Sequence, residues 1–163
     1  MTPVPPSASR VEATQLVQPP DANVLGTAFG GRIAAWTDLA ASMAAMRHAR
    51  LPVVTASIDQ LTFLAPVRIG QIAILVAQVT AVFHTSMEVA VEVVTEDPRT
   101  GARRRCCDAY LTFVALGADG KPTEVPPLAP GTEAERCREA EARTRRAARL
   151  ALREALRPGP GRG

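Results

Sequence analysis

Hydrophobic and polar positions follow two different periods along this chain. Residues 28–47 have helical spacing after a glycine-punctuated loop at 21–31, and Pro52 stops the helix because the residue before a proline disfavours it. Elsewhere apolar residues alternate with polar ones or form β-branched runs, which is typical of strands. The pattern therefore predicts one strand before the helix and four after it, at 11–17, 53–64, 72–82, 87–93 and 105–116.

Short turns rich in proline and glycine join the last strands, and hairpins of this kind indicate an antiparallel sheet. One long helix against one such sheet is an α+β architecture. From Thr132 onward the chain is rich in Ala, Arg and Glu, with opposite charges four residues apart and a weak capping-box match to Glu135. We expect a flexible N-terminus at 1–9, a folded domain at 10–127, and a solvated C-terminal helix or tail at 128–163.

Composition narrows the classes of function. The net charge of the 163 residues is +3, but residues 131–163 hold nine arginines and five glutamates, a net +4, so the rest carries −1. A near-neutral body argues against a nucleic-acid surface on the fold. No run approaches the ~20 apolar residues of a membrane helix. The three cysteines lack metal-ligand spacing and the first ten residues lack a signal-peptide core, so we expect a cytoplasmic protein without a metal site.

The long helix carries a single carboxylate, Asp38, on an unusually apolar surface. A helical wheel separates a bulky stripe, which we expect to cover the sheet, from a face of small residues around Asp38. An exposed face would normally carry several charges, so this one predicts packing against a second copy of the chain, a homodimer. The bulky stripe is Phe29, Ile33, Trp36, Ala40, Met43 and Met46, and the small face is Gly31, Ala34, Ala35, Asp38, Ala41, Ser42 and Ala45.

The start of the helix offers groups that polarise a carbonyl. Gly30 and Gly31 leave backbone N–H groups free, and together with the helix dipole these stabilise developing negative charge. Asn23 adds a side-chain amide that binds a carbonyl or a water. Gly31 and Asp38 are seven residues apart, about 10 Å at roughly 1.5 Å per residue, so one carboxylate cannot easily serve its own helix N-terminus. Antiparallel helices across a two-fold axis remove this obstacle, and we predict two composite sites per dimer.

The ordered motifs resemble a known family. DANVLGTAFGG, Asp38, VVTASIDQLTFLAPVRIGQ, the pair Thr85-Ser86 and DAYLTFVALGADGKP are together similar to the hotdog-fold acyl-CoA thioesterases, and especially to the cytosolic acyl-CoA hydrolase group. The resemblance covers about residues 15–122. It implies a central helix wrapped by an antiparallel sheet of five or more strands, a homodimer that often assembles into a hexamer of three dimers, and hydrolysis of an acyl-CoA to free acid and CoA. CoA is then part of the substrate, and no cofactor is implied.

The resemblance also assigns catalytic residues. It places the catalytic asparagine on Asn23 and the catalytic carboxylate on Asp38, which the wheel and the loop had already singled out. Asp38 then activates a water or attacks the thioester, Asn23 orients the water or the carbonyl, and the Gly31 N–H contacts the carbonyl oxygen. Base and nucleophile stay open as alternatives for Asp38.

Substrate-binding residues follow from the same resemblance. Gly30 joins the helix N-terminus, and Thr85 and Ser86 match a pair near the pantetheine channel. Arg103 and Arg104 are candidates for the CoA phosphates, which favour basic partners. A solvated strand end explains these arginines equally well.

Two other functions remain as alternatives. A hotdog-fold hydratase or dehydratase would need a catalytic histidine, and the chain offers only His48 and His84. His84 also departs from the family, whose members usually have glycine at this turn. The second alternative is a non-catalytic acyl-CoA-binding or sensing module whose basic tail contacts a partner.

Overall fold

The computed structural model describes residues 1–157 and contains the predicted helix and five predicted strands. Each boundary lies within about two residues of its predicted place, apart from the longer fourth strand, and the last strand begins early enough to include Arg103 and Arg104. Short 3₁₀ turns lie at Pro6–Ser9 and Pro19–Asp21. The main elements are β1 (Val11–Leu16), α1 (Gly30–Ala49), β2 (Val53–Phe63), β3 (Ile72–Phe83), β4 (Ser86–Glu96), β5 (Arg103–Ala115) and α2 (Glu133–Ala155).

The five strands form one antiparallel sheet in the order β1-β3-β4-β5-β2. α1 connects the two edge strands and packs against one face of the sheet, which we call the inner face. The expected α+β hotdog architecture, one long helix wrapped by a five-stranded antiparallel sheet, is confirmed. β1 and β2 are the edges, and the outer long side of β2 pairs with no other strand of residues 1–157.

The helix stripe that faces the sheet differs from the predicted one. Phe29 and Met46 are about half exposed, so the bulky stripe was wrong at these positions, whereas Ile33 and Ala40 are buried as expected. The inner face already supplies large side chains such as Leu111 and Phe113, so the helix approaches closely through small residues. The buried residues of α1 are Ile33, Thr37, Ala40, Ala41, Ala44, Ala45, His48 and Ala49.

α2 lies across the opposite, outer face of the sheet. Its N-terminus has the predicted capping box, in which the Thr132 Oγ1 accepts from the Glu135 N–H at 3.2 Å. The expected solvated helix is docked through two ion pairs, Arg145–Glu88 at 2.7 Å and Arg149–Asp59 at 2.9 Å. Glu88 points outward because it alternates along β4 with core residues of the inner face.

The adjacent cysteines of β5 are both buried, although neighbours on a regular strand point to opposite faces. The pairing of β4 with β5 shifts register between Val93 and Val94, which leaves Cys106 in a bulge, and its thiol donates to the Val93 carbonyl at 3.2 Å. Burial raises the pKa of both the Cys106 and Cys107 thiols to about 11, so neither is a reactive thiolate near neutral pH.

Neither helix within residues 1–157 contains an apolar stretch long enough to cross a membrane.

Candidate active site

The Asn23 side chain is held in a tight turn that uses only its oxygen. Oδ1 accepts hydrogen bonds from the Leu25 N–H at 2.9 Å, the Thr27 N–H at 3.3 Å and the Thr27 Oγ1 at 3.2 Å. Gly26 closes the turn with a φ of 72°, which glycine adopts without the strain of a side chain. Among residues 1–157 nothing accepts a bond from the Asn23 Nδ2 group. The amide is therefore oriented as a donor for a carbonyl or a water.

An ion pair fixes this loop to the start of α1. The Arg32 Nε lies 3.0 Å from the Asp21 Oδ1, and the other Asp21 oxygen accepts from the Gln18 N–H at 3.0 Å. The Phe29 N–H also donates to the Asp21 carbonyl at 2.9 Å. The pairing of Asp21 with Arg32 was not predictable from the sequence, because two opposite charges eleven residues apart carry no local signal.

The first two residues of α1 leave their N–H groups open. The Arg32 and Ile33 N–H groups both donate to the Phe29 carbonyl, and no described residue accepts from Gly30 or Gly31. A Cβ added at Gly30 would meet Phe63 at 3.3 Å, whereas one added at Gly31 would meet nothing within 4 Å. No described side chain therefore crowds the Cβ position of Gly31, and its N–H remains available as a donor.

An apolar groove begins at the same point. It has a volume of about 410 Å³ and lies between the N-terminus of α1 and the chain that follows β2. Its walls are mainly hydrophobic, which suits an acyl or pantetheine chain more than a phosphate. The lining residues are Thr27, Ala28, Gly30, Ile33, Phe63, Leu64, Ala65, Pro66 and Val67.

Asp38 lies half-buried in the middle of α1 and has one side-chain partner. The Thr55 Oγ1 of β2 donates to its Oδ1 at 2.7 Å, which leaves Oδ2 without a partner among the described residues. Thr55 is inside a motif that the family resemblance rests on, yet its role was missed, because nothing in the local sequence shows which side chain it meets across 17 positions.

The flank of α1 that carries Asp38 faces the open edge of the sheet. Asp38 contacts β2, whereas Arg47, which is nine residues later and so about 180° around the helix, donates to the Arg10 carbonyl beside β1. β1 and β2 are opposite edges of the sheet. Gly31, seven residues before Asp38, lies within about 20° of it, so both residues point toward the β2 edge.

The candidate phosphate-binding arginines lie at the sheet end shared by the Asn23 loop. Arg103 is opposite Glu96 in the register, and its Nε lies 2.6 Å from the Glu96 Oε2 with the side chain largely exposed. Arg104 is exposed beside it, and its carbonyl accepts from the Thr95 Oγ1. Both guanidinium groups have access to solvent, so an anionic group can reach them.

Thr85 and Ser86 are at the other end of the molecule. They follow the tip of the β3–β4 hairpin near the C-terminus of α1, and the Thr85 carbonyl accepts from the Ala115 N–H at 3.0 Å. The 20 residues of α1 span about 28 Å at roughly 1.5 Å per residue. Within one chain, this pair is therefore not brought together with Asn23 and Gly31.

Neither histidine lies at this site. His48 is buried near the C-terminus of α1, with its Nε2 2.8 Å from the Pro126 carbonyl. Burial lowers its pKa, so it is neutral near pH 7 although a helix C-terminus favours a cation. His84 occupies the hairpin tip with a φ of 59°, in the left-handed region that explains why glycine suits this turn.

Comparison with known proteins identifies the family of this chain. The model of the thioesterase superfamily matches residues 25–102. An uncharacterised acyl-CoA thioester hydrolase of Bacillus subtilis is 43% identical over 127 residues, which are 78% of this chain and 74% of that protein. The chain belongs to the acyl-CoA thioester hydrolases of the thioesterase superfamily. The resemblance of its motifs to the hotdog-fold acyl-CoA thioesterases is confirmed.

Solved structures of this family extend the likeness over nearly the whole chain. The apo form of a hexameric acyl-CoA thioesterase is 41% identical, covers 96% of this chain and 100% of its own, and superposes with a TM-score of 0.91. A match of that extent includes most of α2, so the resemblance reaches beyond the expected limit near residue 122. Longer relatives also exist, since the mouse acetyl-coenzyme A thioesterase is 37% identical over only 25% of its own length.

A hydrolase of Staphylococcus aureus adds information on ligands and residues. Its structure in complex with butyryl coenzyme A, coenzyme A and coenzyme A disulfide is 38% identical, covers 91% of each chain and has a TM-score of 0.86. Further structures of that enzyme carry single alanine replacements of an asparagine, of an aspartate 15 residues later and of a threonine 17 residues after the aspartate.

Proposed function

We propose that this thioesterase hydrolyses acyl-CoA in composite sites, each built from two copies of the chain. Asp38 of one copy activates a water or attacks the thioester carbon. Asn23 of the other copy orients the water or the carbonyl through Nδ2, and the Gly31 N–H stabilises the carbonyl oxygen. The observation that carries the proposal is the Thr55–Asp38 hydrogen bond on the flank of α1 that faces the open β2 edge.

Thr55 holds the Asp38 carboxylate in place and leaves one oxygen for chemistry. Because Oδ1 is occupied by the Thr55 hydroxyl at 2.7 Å, Oδ2 is the atom that meets the water or the thioester. The intervals of 15 and 17 residues between the altered positions of the Staphylococcus aureus enzyme equal those between Asn23, Asp38 and Thr55. This agreement supports all three as members of one site.

A second copy brings the separated groups together. If β2 pairs with β2 of another copy, the sheets become continuous and the two α1 helices lie antiparallel along the flanks that carry Gly31 and Asp38. Asp38 of one copy then moves toward Asn23 and Gly31 of the other. The same arrangement moves Thr85 and Ser86 toward the partner's Asn23 loop, which one chain alone does not achieve.

The remaining substrate contacts follow from the surroundings of that site. The apolar groove beside Gly30 takes the acyl or pantetheine portion, and Arg103 and Arg104 bind CoA phosphates as charge-assisted partners. Asp38 supplies the base or nucleophile and water the second reactant, so we expect no metal ion or resident cofactor.

The relatives also suggest an oligomeric state and a cellular location for this protein. Solved relatives are described as hexameric, and we propose a trimer of dimers for this chain as well. We propose the cytoplasm as its location, in keeping with the cytosolic acyl-CoA hydrolases of rat and mouse, which are 34% identical over 142 residues.

Hydrolysis of acyl-CoA, measured as thiol release, distinguishes this proposal from the two alternative functions. A hydratase or dehydratase requires a histidine beside the substrate. His48 is buried with its Nε2 at the Pro126 carbonyl, and within one chain His84 lies at the β3–β4 hairpin tip, away from the Asn23 loop and from Asp38. A binding module would hold acyl-CoA without releasing thiol.

The first test measures thiol release from acyl-CoAs of two to sixteen carbons. Asp38→Asn should lower kcat by about 10³-fold, because a positioned base contributes roughly 10²–10⁴. Binding of CoA, measured by calorimetry, should stay within a few-fold of the unaltered protein. Near-normal hydrolysis by Asp38→Asn would refute the assignment.

The second test asks whether each site takes residues from two chains. Asn23→Ala and Asp38→Asn are each expected to be inactive, but mixed dimers of the two contain one site with both residues intact. Random mixing by mild unfolding and refolding should therefore restore up to about one quarter of the wild-type activity. Mixtures as inactive as their components would show that each site belongs to one chain.

A further inference from the structure

We propose that the exposed end of α2, residues 150–157, is a contact surface for a second copy of this chain and packs on the outer face of that copy's sheet. The proposal rests on the β2-edged dimer described above and deepens it. It assigns a role to the Arg-rich C-terminal segment, which the chemistry of the active site leaves unused.

α2 crosses the outer face in a definite direction. Near its start, Glu135 and Arg138 border a shallow pocket with Gln78 and Thr80 of β3. Further along, Arg145 contacts Glu88 of β4 and Arg149 contacts Asp59 of β2. The sheet order is β3-β4-β5-β2 in this region, so the helix runs toward the β2 edge.

The first ion pair fixes the path of the helix above β4 and β5. The Arg145 guanidinium donates to both oxygens of Glu88, at 2.7 and 3.2 Å, and lies 3.8 Å above the centre of the Tyr110 ring. Glu88 is only 3% exposed and also accepts from the Thr80 hydroxyl at 2.7 Å. A paired and hydrogen-bonded charge of this kind is costly to separate.

The second contact fixes α2 at the edge of the sheet. The Arg149 Nη1 bonds to the Asp59 Oδ1 at 2.9 Å, the Ser57 Oγ at 2.6 Å and the Thr112 Oγ1 at 2.8 Å. Ser57 and Asp59 belong to β2, so Arg149 already sits above the last strand of this chain.

Beyond Arg149 the helix has no sheet beneath it. The six residues to Ala155 extend it by about 9 Å, which is close to two strand spacings of about 4.8 Å. Every residue from 150 to 157 is exposed, including Leu150 at 43%, Leu152 at 61% and Leu156 at 72%. Three leucines thus extend past an edge on a segment that is otherwise alanine and charged residues.

A second copy joined at β2 is the occupant that the geometry favours. It would place its own β2 and β5 beneath the overhang, at the distance the helix reaches. Two-fold symmetry makes the contact reciprocal, so the two overhanging ends lie antiparallel above the seam and shield each other's leucines. Val54 and Ile58 of β2 are both about half exposed, so apolar side chains are also available at the open edge where the second copy would pair.

The first experiment measures dimer dissociation by sedimentation velocity over a range of protein concentrations. The triple variant Leu150→Gln, Leu152→Gln and Leu156→Gln keeps helix-favouring side chains and should raise the dissociation constant at least about 10-fold. The control, Ala134→Gln with Ala140→Gln, changes exposed residues over β3 and should leave it unchanged. Circular dichroism checks that both variants keep their helix content.

The second experiment seeks the contact directly. Leu150→Cys or Leu152→Cys in a Cys137→Ser background should give covalent dimers with a flexible bismaleimide, while the background alone should give none. Cys106 and Cys107 do not interfere because both are buried.

The results separate this inference from the dimer itself. If the wild type forms dimers, alone or within a hexamer, that Ile58→Lys dissociates, but the leucine variant keeps its dimers and no cross-link forms, the role of α2 is refuted and the dimer stands. If the wild type sediments as a monomer at all concentrations, both proposals fail.

Discussion

The two long helices of this molecule are attached to opposite faces of the same sheet by opposite means. α1 is buried through alanines, one isoleucine, one threonine and one histidine, and its contact with the sheet contains no ion pair among the described residues. α2 has a single fully buried residue, Ala142, and is held by Arg145 and Arg149. A helix rich in charge is therefore not necessarily solvated, and an apolar helix does not necessarily direct its bulkiest stripe at the sheet.

The largest expected effect comes from breaking the ion pair under α2. Arg145→Met leaves the Glu88 carboxylate buried and without its cation, which should lower the free energy of unfolding by about 3 kcal/mol. Adding Glu88→Leu removes the orphaned charge and should recover most of the loss. Urea denaturation measures both variants, and a loss under about 1 kcal/mol for the single change would mean that α2 is held by other contacts.

The next largest effect tests whether α1 is packed more tightly against the sheet than α2. Ala44 is fully buried between α1 and the sheet, so Ala44→Leu should cost about 2 kcal/mol of unfolding free energy through overpacking. Ala147→Leu, at an exposed position of α2, is the matched control and should stay within about 0.5 kcal/mol. Equal costs at the two positions, measured by the same denaturation, would remove the contrast between the helices.

The smallest effect concerns the end of α1 and depends on pH. Because burial lowers the pKa of His48 below its ordinary 6.5, the unfolded chain binds the proton more readily. Stability is then complete above about pH 6.5 and decreases as the pH falls below it, by up to about 1.4 kcal/mol per pH unit.

His48→Gln removes this titration while keeping a side-chain amide that can donate to the Pro126 carbonyl. The stability difference between pH 7.5 and pH 5.5 should therefore be smaller in the variant than in the wild type. An identical pH dependence of the two proteins, measured by thermal unfolding, would show that His48 titrates normally.

The local sequence pattern was sufficient to predict where the helices and strands lie, but not which side chains they bring into contact. The alternation of apolar residues located the strands, and Pro52 located the end of α1 within three residues. The stripe of α1 that faces the sheet was not predictable, because it depends on how much space the inner-face residues Leu111 and Phe113 already occupy.

The same limit applies to the candidate site. The isolated position of Asp38 and the open start of α1 were visible in the sequence, since both are local features. The Thr55 hydroxyl that binds Asp38, the pairing of Asp21 with Arg32, and the acceptors Glu88 and Asp59 for the α2 arginines all depend on tertiary pairing. Glu88 alternates with apolar residues along its strand, so it looked like an ordinary exposed charge.

In the turn at Asn23, the oxygen and the nitrogen of one side-chain amide differ in their partners. Its oxygen builds the loop, through three donors from Leu25 and Thr27, and its nitrogen has no acceptor among the described residues, which leaves it for the proposed contact with the substrate. An aspartate of the same shape could keep all three of those bonds while offering only a second acceptor. Folding of the loop and the proposed polarisation of the thioester therefore depend on different atoms of this side chain, so a substitution can remove the second while the fold is unchanged.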